Sequence, residues 1–228
     1  MPAPGDRPVV LLPLGATEQH GPHLPTDVDT RIAVEAVRVL AVNDAGATSR
    51  AVPVAPMPFG SSGEHQAFAG TVSIGTAVLA EVLVELGRSI ANWTDRLLVI
   101  NAHGGNVDAL RTAIPRLRHE GRDAAWVTCR SGESDTDTHA GHAETSLMLA
   151  LAPDTVRVDL AIPGNTAPLR EILPAMRSGG VAAVSPSGVL GDPTTATAAE
   201  GWRLWRALHD DLATKTSRWQ PGEDGMLR

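Results

Sequence analysis

Apolar residues along this chain fall by turns into short solid runs and helical spacing, and the alternation predicts a β-α-β succession. Val9 to Leu14 is an apolar run containing Pro13 and reads as a buried strand that ends where polar groups begin. From Thr30 to Asn43, Ile32, Ala36, Val39 and Leu40 share one helical face, and Asn43-Asp44-Ala45-Gly46 supplies a stop. Ser49 to Pro56 is rich in β formers, and Met57 to Gly75 is a long Gly- and Ser-rich loop carrying Glu64 and His65. A helix is predicted over Thr76 to Trp93, a strand over Arg96 to Asn101, and a helix from the following turn to Glu120, which Pro115 should kink or end early. Asp123 to Cys129 reads as a strand, and Ala143 to Ala152 as a helix stopped by Pro153. Ala198 to Arg218 reads as an amphipathic helix bearing Trp202, Trp205, Leu208 and Leu212. Between 156 and 193 the pattern weakens: Val156-Arg157-Val158 and Val181 to Val184 read as short strands among Pro163, Gly164, Gly179 and Gly180. The whole predicts an α/β fold and one domain over residues 1–228.

Composition narrows the function classes. Hydrophobic residues at 43% and charged ones at 20% suit a globular core and argue against disorder. A net charge of −7 argues against a basic footprint for nucleic acid. The one cysteine, Cys129, excludes an internal disulfide, fits a reducing compartment and reads as a packed core thiol. No apolar run approaches the roughly 20 residues of a membrane span. The first residues lack a signal-peptide pattern, so the expectation is a cytoplasmic protein with no membrane contact.

Chemistry-bearing residues gather in loops that follow predicted strands, and a parallel sheet would bring those loops to one edge. Glu18 and His20 follow the first strand, where residues i and i+2 leave one face, and Asp27 and Asp29 come soon after. Ser62, Glu64 and His65 lie in the long loop, His103 in His-Gly-Gly-Asn, and His139 with Glu144 in His-Ala-Gly-His-Ala-Glu-Thr-Ser. Imidazole and carboxylate without thiolate favour zinc, iron or manganese. Two such ions about 3.5 to 4 Å apart need a bridging carboxylate, for which Asp27 and Asp29 compete. Ser62 lacks the Gly-x-Ser-x-Gly elbow of a nucleophile. His119 and His209, on predicted helices, read as solvated, and His142 as a neighbour of the site. Plainer roles also exist: Glu144 could complement a helix dipole, Glu64 could brace its loop, and Glu133 to Asp137 could be a solvated loop.

Four ordered motifs carry a family resemblance. Leu14-Gly15-Ala16-Thr17-Glu18-Gln19-His20-Gly21-Pro22-His23, Gly60-x-Ser62-x-Glu64-His65, Asn101-x-His103-Gly104-Gly105-Asn106 and His139-Ala140-Gly141-x-x-Glu144-Thr145-Ser146 resemble the creatininase (creatinine amidohydrolase) family. The resemblance implies a three-layer α/β/α sandwich with a mostly parallel central sheet, a homo-oligomer that is often a hexamer, and hydrolysis of a C–N bond. It also implies two divalent ions per subunit, Fe2+ and/or Zn2+ with Mn2+ as an alternative. By motif position Glu18 and Asp29 would hold one ion and His20, Asp29 and His103 the other, so the family spacing prefers Asp29 over Asp27 as the bridge. His139 would steady an oxyanion or protonate the leaving amine, Glu64 would shuttle a proton, and Ser62, His65, Gly104 and Asp135 would meet substrate.

Departures from creatininase bear on the substrate. Creatininase has an aromatic residue and a glutamate ligand where this chain has Gly104 and Gly105, and Glu144 is the candidate replacement ligand. Creatininase has a tryptophan where this chain has Asp135, so a flat ring would lose its stacking partner. Among members with the His-Gly-Gly-Asn form, the short length, the form His-Ala-Gly-x-Ala-Glu-Thr-Ser and the tail Ser187-Gly188-Val189-Leu190-Gly191-Asp192-Pro193 resemble those that cleave a ribosomally made precursor peptide. That peptide is already modified at a C-terminal Val-Tyr, and cleavage releases the modified dipeptide for redox-cofactor biosynthesis. The alternatives are hydrolysis of a formamide of riboflavin or deazaflavin biosynthesis, or of another small amide, and a metal-loaded scaffold without turnover.

Overall fold

The apolar runs become the four strands of one parallel sheet: β1 (Val9–Leu14), β2 (Ala51–Pro53), β3 (Arg96–Asn101) and β4 (Asp123–Thr128), in the order β2-β1-β3-β4. This computed structural model describes residues 8–43, 51–129 and 134–228. The stop at 44–46, the start of the 49–56 segment and Glu133 lie outside the described residues. β1 pairs with β3 from Val9↔Arg96 to Leu14↔Asn101, and β3 with β4 from Arg96↔Asp123 to Asn101↔Thr128, so the three strands end level.

Both faces of the sheet are covered, which is why its strands are apolar throughout rather than alternating. Leu11, Leu98, Ile100 and Val127 pack against α1 (Val28–Asn43), α4 (His142–Leu151) and α6 (Ala198–Arg218). Leu12, Leu14, Val99 and Trp126 pack against α2 (Thr76–Ile90) and α3 (Val107–His119). The result is the expected three-layer α/β/α sandwich. No helix among the described residues is long and apolar enough to cross a membrane.

Several elements depart from their expected form. Helix α1 starts at Val28, which places Asp29 inside its first turn. Pro115 lies within α3 without ending it, because Leu110, Ala113, Ile114 and Leu117 are all fully buried and their packing outweighs a proline cost of about 3 kcal/mol. On α6, Gly201 lies so close to Ser146 of α4 that the buried face runs through Gly201, Trp205, Leu208 and Leu212, which leaves Trp202 exposed.

The strands expected at 156–158 and 181–184 do not form. Val158–Leu160 and Val181–Ala183 are single 3-10 turns. The outer edge of β4 offers them no ladder, since Trp126 there exchanges hydrogen bonds with the C-terminal segment through Gly225 and Leu227. Between the two turns stands a helix that Pro168 and Pro174 hide in the sequence, α5 (Leu169–Gly179). Ile172 on its inner face packs with Val181 and Leu190. At its start, Leu169 N donates to Asp135 O at 2.7 Å and Arg170 pairs with the Asp135 carboxylate at 2.6 Å. At its end, Gly180 adopts a φ of 69°, and a Cβ there would stand 2.7 Å from Glu64 O. Helix α5 is thus fastened to two loops that carry candidate site residues.

Candidate metal centre

Every candidate ligand arises at the C-terminal edge of the sheet. The chain leaving β1 carries Glu18 and His20, the first turn of α1 Asp29, the chain leaving β3 His103, and the first turn of α4 Glu144. Asn106 ties these segments together. Its Nδ2 donates to Gly15 O at 3.0 Å and to Asn101 Oδ1 at 3.0 Å, while its Oδ1 accepts from Ser61 N at 2.8 Å. Asp137 holds the start of α4, its carboxylate accepting from His142 N at 2.8 Å and Ala143 N at 2.9 Å. The run ending at Asp137 therefore includes a helix cap as well as solvated residues. Ala140, in the left-handed region at φ 52°, directs its N–H to Glu144 Oε2 at 2.6 Å, local strain of the kind kept at functional sites.

The candidate imidazoles and carboxylates converge. His103 Nε2 lies 3.2 Å from Glu18 Oε2, His103 Nδ1 3.6 Å from Asp29 Oδ2, His20 Nε2 3.6 Å from Asp29 Oδ1, and His20 Nε2 3.8 Å from Glu144 Oε2. Two triads follow, Glu18-Asp29-His103 and His20-Asp29-Glu144, each with ligand atoms within 4.8 Å of one another and with Asp29 in common. Geometry groups His103 with Glu18, where motif position paired it with His20, and brings Glu144 to His20. Glu18, His20 and His139 form a third possible group. Asp27 is turned away into an ion pair with Arg31 at 2.7 Å.

Both oxygens of Glu18, His20 Nε2 and Asp29 Oδ2 are buried without a hydrogen-bond partner. Carboxylate oxygens so placed are costly unless a cation meets them. The mixed oxygen and nitrogen donor set suits borderline divalent ions.

Second partners set the imidazole tautomers. His20 Nδ1–H donates to Glu18 O at 3.2 Å, which turns Nε2 toward the centre. His103 Nε2–H donates to Ser61 O at 3.1 Å, leaving Nδ1 toward Asp29. His139 Nε2–H donates to Gln19 O at 2.8 Å, leaving Nδ1 at 3.7 Å from Glu18 Oε1. A carbonyl behind each ring is the usual way a ligating imidazole is oriented. Gln19, whose role the sequence reading missed, donates from Nε2 to Gly188 O at 3.1 Å and to His65 Nδ1 at 2.9 Å. Its position between Glu18 and His20 was the available signal, since it leaves the opposite face of the segment.

Electrostatics reflect the crowding. Burial pushes His20 and His103 down, but Asp29 for the first and Glu18 for the second outweigh it and raise them to about 9 and about 10. Burial raises Glu18, yet His103 and the neighbouring rings hold it well below the usual carboxylate range. Burial and Glu18 push Asp29 up. Burial, then His20, lowers His139 to about 4, so its ring is neutral at pH 7. In the metal-free chain, protons on His20 and His103 thus balance the carboxylates, and cations must displace both. Zinc loading at pH 7 should release about two protons per chain, about one for each ion, with the apparent affinity for each ion rising about one log unit per pH unit up to pH 9. Calorimetry in buffers of different ionisation enthalpy measures this, and zero release would contradict it.

The other expected residues divide. His65 and Gly104 line a cavity of about 340 Å³ that opens on the ligand set, and Glu64 lies beside them. Burial raises the Glu64 carboxyl above its ordinary value. Gly105 is required by packing, since a Cβ there would stand 2.2 Å from Ser61 O and 2.7 Å from Glu64 Oε1. Ser62 stands outside the cavity wall, its Oγ 3.4 Å from His103 Nε2, and Asp135 is engaged by Arg170. His142 bonds Thr195 Oγ1 at 2.7 Å, away from the centre, and His119 is exposed. His209 is half-buried beside Asp210, less solvated than expected. Burial pushes the Cys129 thiol up to about 12, as befits a packed, inert thiol.

Known proteins are similar in sequence and in fold. The sequence model described as "Creatinine amidohydrolase" matches residues 3–216. A protein of Mycolicibacterium smegmatis named "Mycofactocin precursor peptide peptidase" is 56% identical over 222 residues, covering 96% of this chain and 89% of that protein. A solved structure described as "Creatininase Mn" superposes with a TM-score of 0.74 at 26% identity, covering 96% of this chain and 93% of that one. A glutamate-to-glutamine creatininase variant described as Zn-Zn type gives 0.74 at 25% identity with the same coverage. With the family model spanning nearly all its length and the motif residues meeting at one sheet edge, the chain belongs to the creatininase family.

Proposed function

We propose that this chain is a dinuclear metal-dependent peptidase acting on a modified precursor peptide, from which it releases the C-terminal Val-Tyr-derived dipeptide for redox-cofactor biosynthesis. The observation that carries this reading is the 56% identity, over 96% of the chain, to a protein named for that peptidase activity. Two triads sharing Asp29 supply the hydrolytic centre it needs. Glu18, Asp29 and His103 would hold one ion, and His20, Asp29 and Glu144 the other. When bound, such ions polarise a carbonyl and bring the pKa of water from 15.7 to around 7.

His139 handles the proton. Its ring is neutral and its Nδ1 lone pair faces the centre, so it first accepts a proton from the attacking water and then returns it to the leaving amine. Gln19 O fixes the ring by accepting from Nε2–H. Glu64, held toward its protonated form by burial, is a second proton carrier at the cleft wall. The reading includes zinc, iron or manganese as the ions and a homo-oligomer, hexameric by resemblance.

The test incubates metal-loaded protein separately with modified precursor peptide, a formylated pyrimidine and creatinine, and follows mass. Release of the modified dipeptide alone is expected. Turnover of a small amide alone would overturn the peptidase reading, and no turnover of any would favour a scaffold.

A further inference from the structure

Two cavities border the candidate ligand set. The first, of about 340 Å³, runs along α5, where Leu169, Leu173 and Met176 recur at helical spacing, each half-buried, with Val181 and Leu190 beyond them. The second, of about 380 Å³, is lined by Val107, Arg111 and Thr128 among others. They share Ala102, Gly104, Thr138, His139, Glu144 and Leu169, so the candidate metal centre stands where the two arms join. Each arm has the size of a small-ligand site.

Gly104 keeps the junction open. Nothing lies within 4 Å of where its Cβ would stand, and its φ is outside the left-handed region, so the backbone there accepts a side chain. Such a side chain would project into the space where the arms join. The α5 wall is held in place at both ends, through Asp135 at its start and through Gly180 against Glu64 at its end. It is thus a fixed apolar surface beside the reacting centre. In the other arm the Arg111 guanidinium has, among the described residues, ion pairs of 3.9 Å each with Asp108 and Asp224, and more than half of its side chain is exposed.

We propose that the cleft is two peptide subsites joined over Gly104: the α5 arm takes the departing pair of apolar residues, and the Arg111 arm takes the chain that precedes the scissile bond. This rests on the peptidase reading and names how such a peptide is read. Apolar side chains on the departing pair gain by burial against Leu173 and Met176. The preceding backbone offers carbonyls to Arg111, which has donors to spare. A residue with a side chain at position 104 would confine the site to small amides.

The test measures binding to zinc-loaded protein of two probes, valyl-tyrosinamide and an unmodified eight-residue peptide ending in the same pair. In the wild type the longer peptide should bind about tenfold tighter or better. Gly104→Leu should weaken the longer peptide about tenfold more than the dipeptide amide and so cancel that advantage, with zinc content and melting temperature measured on the same sample. Leu173→Asp should weaken both probes by about tenfold or more. Equal affinity of the two probes in the wild type, an equal loss of both in Gly104→Leu, or no change in Leu173→Asp would overturn the proposal. Turnover of modified precursor, followed separately by mass, keeps the two readings apart. Turnover with the wrong binding pattern sinks the subsites alone, and the right pattern without turnover sinks the peptidase reading alone.

Discussion

Asp29→Ala is expected to lose both metal ions and all measurable turnover while keeping its fold. Asp29 belongs to both triads, with Oδ1 3.6 Å from His20 Nε2 and Oδ2 3.6 Å from His103 Nδ1, so its removal takes a ligand from each ion. Loss of a mere outer partner costs about 10- to 100-fold in metal affinity, and loss of a shared ligand should exceed that at both sites. The fold should survive, because α1 is held by Val28, Ile32, Ala36 and Val37 in the core rather than by this carboxylate. Metal analysis and a melting curve on the purified variant read the two effects separately. Stoichiometric metal with normal turnover would remove Asp29 from the bridging position.

His139→Ala should keep both ions and slow the reaction by about 10²- to 10⁴-fold, the range for lost acid-base help. The effect should fall on kcat, because the ring acts on the proton in flight rather than on the resting substrate. Its Nδ1, 3.7 Å from Glu18 Oε1, is also part of the third group with Glu18 and His20. Metal analysis therefore decides between roles: loss of an ion would make His139 a ligand, whereas full metal with slow turnover makes it the proton carrier. An unchanged rate would exclude both.

The strands and most helices were legible along the chain because each is a local pattern. Arg96 to Asn101 appears as read, and Ala198 to Arg218 has its expected limits, since period and caps lie within the segment itself. Helix α5 was not legible. Pro168 and Pro174 mark a break in any local reading, and the helix persists because Ile172 finds Val181 and Leu190, because Asp135 holds its start, and because Gly180 lets its end pack closely against Glu64.

The site divides in the same way. Residue types and their placement after strands pointed to a metal-dependent hydrolase, because parallel strands must deliver their following loops to one edge. Motif resemblance ranked Asp29 above Asp27; Asp29 lies among the clustered imidazoles and carboxylates, while Asp27 pairs with Arg31. The pairing of ligands was a different matter. His103 joins Glu18, and Glu144 reaches His20, through approaches between segments far apart in the chain. Gln19 became visible as the residue behind His139 and His65 once the loops around 65, 139 and 188 had closed on it.

The opening motif Glu18-Gln19-His20 therefore carried in its own residues the kind of chemistry and the face on which it stands, because alternation along an extended segment is a local property. Which candidate ligand lies beside which, which imidazole nitrogen faces the cluster, and how far the cleft reaches were decided by packing. Those properties depend on distances between segments that share no sequence neighbourhood, and on the buried carbonyls and apolar walls that folding brings against them.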